Sequence, residues 1–273
     1  MKGAFSKGFI YIMLIAGSLC MLLPFIWMIS TSLKAPNEVM TLPPVWIPHP
    51  TVWRNYLDAW HTAPFARYLF NSIFVAAVST LGVLITTILA SYAFSQIRFW
   101  GRDVLFAVLL GTMMVPGEIL LIPNFVTLVK FGWIDHYEAL TVPWMASMFA
   151  IFLLRQFFLS IPKELSQAAK IDGCSDFKFL WLVMVPLSKP ALITIALLQI
   201  IGSWNSFLWP LIVTNSVGMR TLPVGLMAFS SEAGTEYNLL MAAATMVVLP
   251  MIILYLILQK YVIEGVTRAG IKG

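Results

Sequence analysis

The sequence predicts an all-α, polytopic membrane protein folded as a single transmembrane domain over 1–273. Three features predict it. The chain is 60% hydrophobic and only 11% charged, with a mean hydropathy of +0.87, a composition that leaves too little polar surface for a soluble domain of this length. Six apolar runs reach the roughly 20 residues that a helix needs to cross a bilayer: 9–29, 71–94, 104–126, 141–159, 190–213 and 239–262. The basic residues between those runs are distributed unevenly.

An even number of spans places both termini on one side of the membrane. Of the 17 Lys and Arg residues, Lys34, Arg54, Arg67, Lys130 and Arg220 fall on the opposite side, which leaves 12 on the side of the termini. The positive-inside rule then expects both termini, and the polar loop 160–189, in the cytoplasm. In a soluble protein the net charge of +5 would point to acidic partners such as nucleic acid. Here it is a topology signal, and no nucleic acid is expected.

The first run follows Met1-Lys-Gly-Ala-Phe-Ser-Lys7, which imitates a secretory leader. The run is too long for one and lacks a small-residue cleavage site, so an uncleaved first span is expected. The stretch 31–69 contains four prolines between Pro43 and Pro50 and is too short for a core of its own, which makes it a structured outer loop. Trp46, Trp53, Trp60, Tyr68 and Trp133 gather in outer loops or near span ends, as in an interfacial aromatic belt. Stacking of one of them on a sugar is the alternative.

Prolines and glycines interrupt several spans, at Pro24, Val115-Pro-Gly-Glu-Ile119, Pro123, Pro143, Pro210 and Pro250. Such breaks are stable where a bundle or a wet cavity satisfies the freed backbone. Glu118 is the acidic residue deepest within a run, where a charge costs about 2.5–3.5 kcal/mol on insertion scales. It is expected either to touch solute in a pathway or to cap the helix restarting after Pro116-Gly117. The fifth run carries Gln199, Gly202, Ser203, Trp204, Asn205 and Ser206, a polar density that turns a membrane helix inward, toward a pathway or toward close packing with another helix. Glu118, Gln199, Ser203, Trp204 and Asn205 are therefore the candidate residues of a translocation path.

The loop 160–189 opens on Ser160-Ile-Pro-Lys-Glu-Leu-Ser-Gln-Ala-Ala-Lys-Ile-Asp-Gly173. Pro162 at the first helical position, Glu164 in the first turn, Lys170 in the last and Gly173 beyond it match the start and stop signals of a short helix. Leu165, Ala168, Ala169 and Asp172 recur at helical spacing and give it a small, apolar face.

No Gly-x-x-x-x-Gly-Lys-Ser/Thr loop is present to hold nucleotide phosphates. His49, His61 and His136 are scattered without metal spacing, and Cys20 and Cys174 carry no metal or disulfide pattern. No cofactor, metal or catalytic set is expected on this chain.

Gln167-Ala-Ala-Lys-Ile-Asp-Gly173 followed by Pro186-Leu-Ser-Lys-Pro190 resembles the EAA loop of bacterial ABC importer permeases, with Gln167 where the family usually has Glu. Ile201-Gly-Ser-Trp-Asn-Ser-Phe-Leu-Trp-Pro-Leu211 and the end of the chain, Gln259-Lys-Tyr to Gly-Ile-Lys-Gly273, resemble segments of the maltose-type, carbohydrate-importing members. The resemblance spans nearly the whole chain. It implies a type I importer permease fold in which Glu164, Gln167, Ala168, Ala169, Asp172 and Gly173 form the coupling helix seated in an ATPase subunit. Arg268, Lys272 and Gly273 would reach the ATPase dimer through the tail. The implied partners are a homologous second permease, two ATPase subunits that bind ATP and Mg, and an extracytoplasmic solute-binding protein, at the bacterial inner membrane. The implied solute is oligosaccharide-like, with glycerol phosphate as the alternative. An ion-coupled secondary transporter is the alternative of another class; it would show paired intramembrane charges and repeated broken helices, whereas Glu118 stands alone.

Overall fold

The computed structural model describes residues 2–231 and 234–270, with side chains from 8 to 230 and from 234 to 259. Helices dominate: α1 (Lys2–Ser32), α2 (Arg54–Thr62), α3 (Phe65–Gln96), α4 (Arg102–Gly111), α5 (Leu121–Phe131), α6 (Tyr137–Thr141), α7 (Met148–Ser160), α8 (Lys163–Ile171), α9 (Asp176–Phe179), α10 (Val185–Leu187), α11 (Lys189–Trp204), α12 (Leu208–Val213), α13 (Leu222–Gly225) and α14 (Tyr237–Gly270). Two-residue strands β1 (Ser230–Ser231) and β2 (Gly234–Thr235) pair antiparallel ahead of α14.

Among the described residues, four helical stretches are long and apolar enough to cross a membrane: Gly8–Ser32, Phe65–Gln96, Tyr137–Ser160 and Tyr237–Gln259. The count rises to six if each of two bent helix pairs is one span. The third run is the first of these pairs. It is not one straight helix, because Val115 turns extended before Pro116, and Arg102–Met114 meets Gly117–Phe131 at 90°; a residue before proline is driven out of the helical region. The second pair, Asp176–Leu187 and Lys189–Trp204, bends by 77°. There the chain passes through a π-helical turn at Leu180–Met184 and a corner at Ser188, whose N–H donates to the Met184 and Val185 carbonyls. The fifth run is also interrupted, since α11 stops at Trp204 and α12 resumes at Leu208.

The chain forms two compact units, Met1–Phe65 with Gly225–Ile252, and Ala66–Val224 with Ile253–Gly273. In the first, α1 is exposed over most of its length and ends in a buried polar knot. Asn55 Nδ2 donates to the Ser32 and Lys34 carbonyls at 2.9 and 2.8 Å, and Asn238 Nδ2 donates to Asn55 Oδ1 at 3.2 Å. The buried Lys34 ammonium lies 3.7 Å from the Trp27 ring centroid. Desolvation lowers its pKa, and the Glu38 carboxylate opposes that shift.

In the second unit, α3 packs against the stretch leading into α7 so closely that a Cβ on Gly82 would collide with the Met145 side chain. Thr86 Oγ1 donates to the Met145 carbonyl at 2.7 Å and Ser91 Oγ to that of Ile151 at 2.9 Å. Small and hydroxyl residues at such crossings allow backbones to approach and are typical of membrane helices. Arg155 ties the far end together: its Nε donates to the Phe94 carbonyl at 3.0 Å, and its guanidinium lies 4.1 Å from the Phe106 ring centroid. The cluster below it joins Leu154 and Phe158 of α7 with Phe179, Leu180 and Met184, and this cluster holds the loop that carries α8.

Candidate translocation cavity and coupling helix

Two places in the second unit carry the candidate residues. The first is α8. Pro162 stands at its N-cap, one position earlier than the sequence pattern places it, in the extended conformation its ring favours. The helix closes in a Schellman arrangement: Cys174 N–H donates to the Ala169 carbonyl at 2.8 Å and Gly173 N–H to that of Lys170 at 3.1 Å. Gly173 adopts φ +70, a left-handed conformation that glycine enters without a Cβ penalty.

Glu164, Gln167, Ala168, Asp172 and Gly173 are exposed. Ala169 is not part of their face. It is half-buried against the cluster of Leu154, Phe158 and Phe179, next to Cys174. The expected apolar face therefore divides in two: Ser166 and Ala169 turn inward, while Leu165, Ala168 and Ile171 remain uncovered, with Ile171 86% exposed. Periodicity finds apolar positions one turn apart, and the packing of the loop decides which of them meets the chain's own core.

The second place is a cavity of about 270 Å³ between α3, α11, α12 and the loop after α12. Gln199 and Ser203 line it, as the polar density of the fifth run predicts. Trp204 and Asn205 do not. Trp204 is buried and Asn205 exposed, because helical rotation carries them about 100° and about 200° away from Ser203. Glu118 is not in the cavity either. It sits exposed in the 3-10 turn Gly117–Leu120, with no side-chain cap on that turn, so the capping role is not observed. Lys272, Gly273 and the side chain of Arg268 lie outside the described residues.

The cavity also recruits Ser72, Trp144, Ser206 and Thr221. Only Ser206 was visible in the sequence, as part of the polar fifth run. Ser72 and Thr221 depend on a clamp. Asn71 is buried at the start of α3 and donates through Nδ2 to the Gly218 and Arg220 carbonyls at 2.8 and 2.9 Å, while Tyr137 OH donates to its Oδ1 at 2.6 Å. Ser72 Oγ accepts from Leu222 N–H at 2.8 Å. Together they draw residues 218–222 onto α3 and set Thr221 in the cavity wall. On the outer side of that loop, Asp135 at φ +64 accepts from the N–H groups of Asn215 and Ser216, both at 2.9 Å. Burial alone would push its carboxyl up, but these bonds, a third from Ser216 Oγ and the neighbouring His136 hold it below the ordinary carboxylate range.

A helical, membrane-spanning chain with broken helices, an uncharged polar cavity among them and a capped, outward-facing short helix defines the permease class of membrane transport component. The chain belongs to the family of binding-protein-dependent transport system inner membrane components, whose model matches residues 82–268. It is similar to the sn-glycerol-3-phosphate transport system permease protein UgpE of Yersinia enterocolitica, with 35% identity over 266 residues and 94% of each chain covered. It is 38% identical over 209 residues to the arabinooligosaccharides transport system permease protein AraQ of Bacillus subtilis, covering 77% of this chain and 74% of that one. Among solved structures, a chain of a bacterial ABC transporter involved in the import of the acidic polysaccharide alginate superposes with a TM-score of 0.84 at 28% identity, over 92% of this chain and 94% of that one. A chain of the bacterial alginate ABC transporter in complex with alginate pentasaccharide-bound periplasmic protein, 12% identical, shares the fold with a TM-score of 0.62 over 92% and 93%. The fold is thus that of a type I importer permease, and the chain is a transport subunit of the inner membrane.

Proposed function

We propose that this chain forms half of the translocation pathway of a carbohydrate importer and couples it to ATPase subunits through α8. The observation that carries the proposal is the outward face of α8. Leu165, Ala168 and Ile171 are exposed on a short helix fixed at its base by Ala169 and at its end by the Gly173 cap. A helix so anchored, with a small apolar face and Glu164 and Gln167 beside it, is built to seat in a cleft of another protein. In the membrane the six apolar runs each count as one span, the third and fifth of them broken, with 160–189 and both termini cytoplasmic, and the whole chain acts as one transmembrane domain. A homologous second permease covers the exposed residues around the 90° bend and Glu118. Hydrolysis of ATP with Mg belongs to two partner subunits; closure of that pair draws the coupling helices together and switches the pathway from inward- to outward-facing. The tail ending at Arg268, Lys272 and Gly273 contacts the same subunits, and a solute-binding protein delivers the solute outside.

The relatives named for arabinooligosaccharides and alginate favour an oligosaccharide-like solute. The relative named for sn-glycerol 3-phosphate favours the second reading, a phosphorylated polyol.

The test is assembly and topology. Purified alone, the chain hydrolyses no ATP; with its ATPase, partner permease and loaded binding protein it supports stimulated hydrolysis. Without native cysteines, Val45→Cys is labelled by an impermeant thiol reagent on intact cells and Ser175→Cys only after permeabilisation. ATP hydrolysis by the isolated chain, or labelling of Ser175→Cys in intact cells, would refute the proposal.

A further inference from the structure

The cavity between α3, α11 and α12 has a composition that its role as a packing gap does not explain. Thr221 is 4% exposed, lines the cavity, and leaves Oγ1 without a hydrogen-bond partner. Gln199, Ser203 and Ser206 reach the same space, and among the described residues their side chains make no hydrogen bond to the protein. Two indoles complete the wall: Trp209 is fixed by its Nε1 donating to the Ala139 carbonyl at 2.9 Å, and Trp144 stands edge-on to it with ring centroids 5.7 Å apart. At Gly202 the helix offers bare backbone, since a Cβ there meets no atom within 4 Å.

Aromatic walls with a few convergent neutral donors and acceptors are the composition of a small-ligand pocket. The volume of about 270 Å³ lies just under the smallest such pockets, about 300 Å³, which suits one ring of a longer solute. No lining residue carries a charge. A phosphate or carboxylate placed there would lose its hydration with no Lys or Arg to replace it, an unfavourable exchange. A hydroxylated ring loses only hydrogen bonds that Gln199, Ser203 and Ser206 can restore, and its C–H face meets the indoles.

We propose that this cavity is a solute subsite carried by the chain itself, which receives one neutral, hydroxyl-bearing sugar ring and excludes anionic groups. The assignment rests on the permease reading above and deepens it, placing the neutral sugar ahead of the phosphorylated polyol.

The test uses the complete importer with Cys20→Ser, Cys174→Ser and Ser203→Cys. A small water-soluble methanethiosulfonate modifies the new thiol, and millimolar arabinotriose slows the modification whereas sn-glycerol 3-phosphate does not. Adding Gln199→Met, which removes the amide while nearly keeping the shape, raises the half-protecting sugar concentration about three- to tenfold, the worth of one hydrogen bond. Gly202→Leu, which fills the space, abolishes protection. In a purely structural role, Gln199→Met would instead leave protection unchanged, because among the described residues the amide makes no bond to the protein. A thiol that never reacts, one that arabinotriose leaves unprotected, or equal protection by sn-glycerol 3-phosphate overturns the proposal. Stimulated ATP hydrolysis in the same preparation reports on the permease reading separately. Its presence beside an unprotected thiol rejects the cavity alone, and its absence rejects both.

Discussion

Replacing Gly173 with valine isolates the contribution of the helix end. The residue sits at φ +70 with no atom within 4 Å of where its Cβ would be, so steric crowding by neighbours contributes nothing and the cost is entirely in the backbone. An L-residue in the left-handed region costs about 1–2 kcal/mol, and a β-branched one lies at the upper end. If the backbone relaxes instead, the bonds from Cys174 N–H to Ala169 and from Gly173 N–H to Lys170 are lost, at about 0.5–1.5 kcal/mol each. Either way the capped geometry of α8 is disfavoured by about 1–3 kcal/mol, a drop of roughly fivefold to 150-fold in its population. Gly173→Asn is the control, because asparagine tolerates this conformation far better. In proteoliposomes containing the full importer, Gly173→Val lowers solute-stimulated ATP hydrolysis and uptake together, Gly173→Asn restores most of both, and neither changes membrane insertion. Wild-type uptake by Gly173→Val would refute the reasoning.

Three further outcomes follow from named contacts. Ala169→Leu forces a larger side chain between α8 and the cluster of Leu154 and Phe158, which costs about 1–3 kcal/mol and lowers stimulated hydrolysis, whereas Gln167→Glu, on the exposed face, leaves it unchanged. Gly82→Val meets Met145 Cγ and Cβ and destabilises the α3–α7 crossing by about 1–3 kcal/mol, read as a lower melting temperature of the detergent-solubilised chain. Asp135→Asn weakens the bonds to Asn215 and Ser216. Because the folded carboxyl is held below its ordinary value, its stabilisation is full above the unfolded pKa of about 3.9 and is lost as pH falls through the lower folded value. The melting-temperature gap between wild type and Asp135→Asn is accordingly present at pH 7 and closes in that acid window.

Much of this was legible in the residues. The helix of 163–171 and its stop at Gly173 could be read because a glycine just past the last periodic position supplies the conformation that ends a helix. Four of the six apolar runs fall on helices long and apolar enough to cross a membrane, because few other structures accommodate that much hydrophobic length. Proline and glycine at 115–117 announced a break, but a break has no angle in sequence, and the 90° bend is set by what packs on either side. The inward turn of Ala169 was hidden for a similar reason: Ala168 and Ala169 are equally small, and only the Phe158 and Phe179 side chains distinguish them. Thr221 had no local signal at all. It reaches the cavity through Asn71 and Ser72, some 150 residues away in the chain.

The central claim, that α8 is the element through which this membrane chain meets its ATPase, is tested most directly by paired crosslinking in the assembled importer. Ala168→Cys lies on the exposed face and Ala169→Cys on the half-buried one. With a short bifunctional thiol reagent and a scan of cysteines in the ATPase cleft, Ala168→Cys gives a crosslinked product whose yield changes on ATP binding, and Ala169→Cys gives little. If the Ala168→Cys thiol forms no product in a complex that still hydrolyses ATP on addition of loaded binding protein, α8 is a connector and the coupling assignment is wrong.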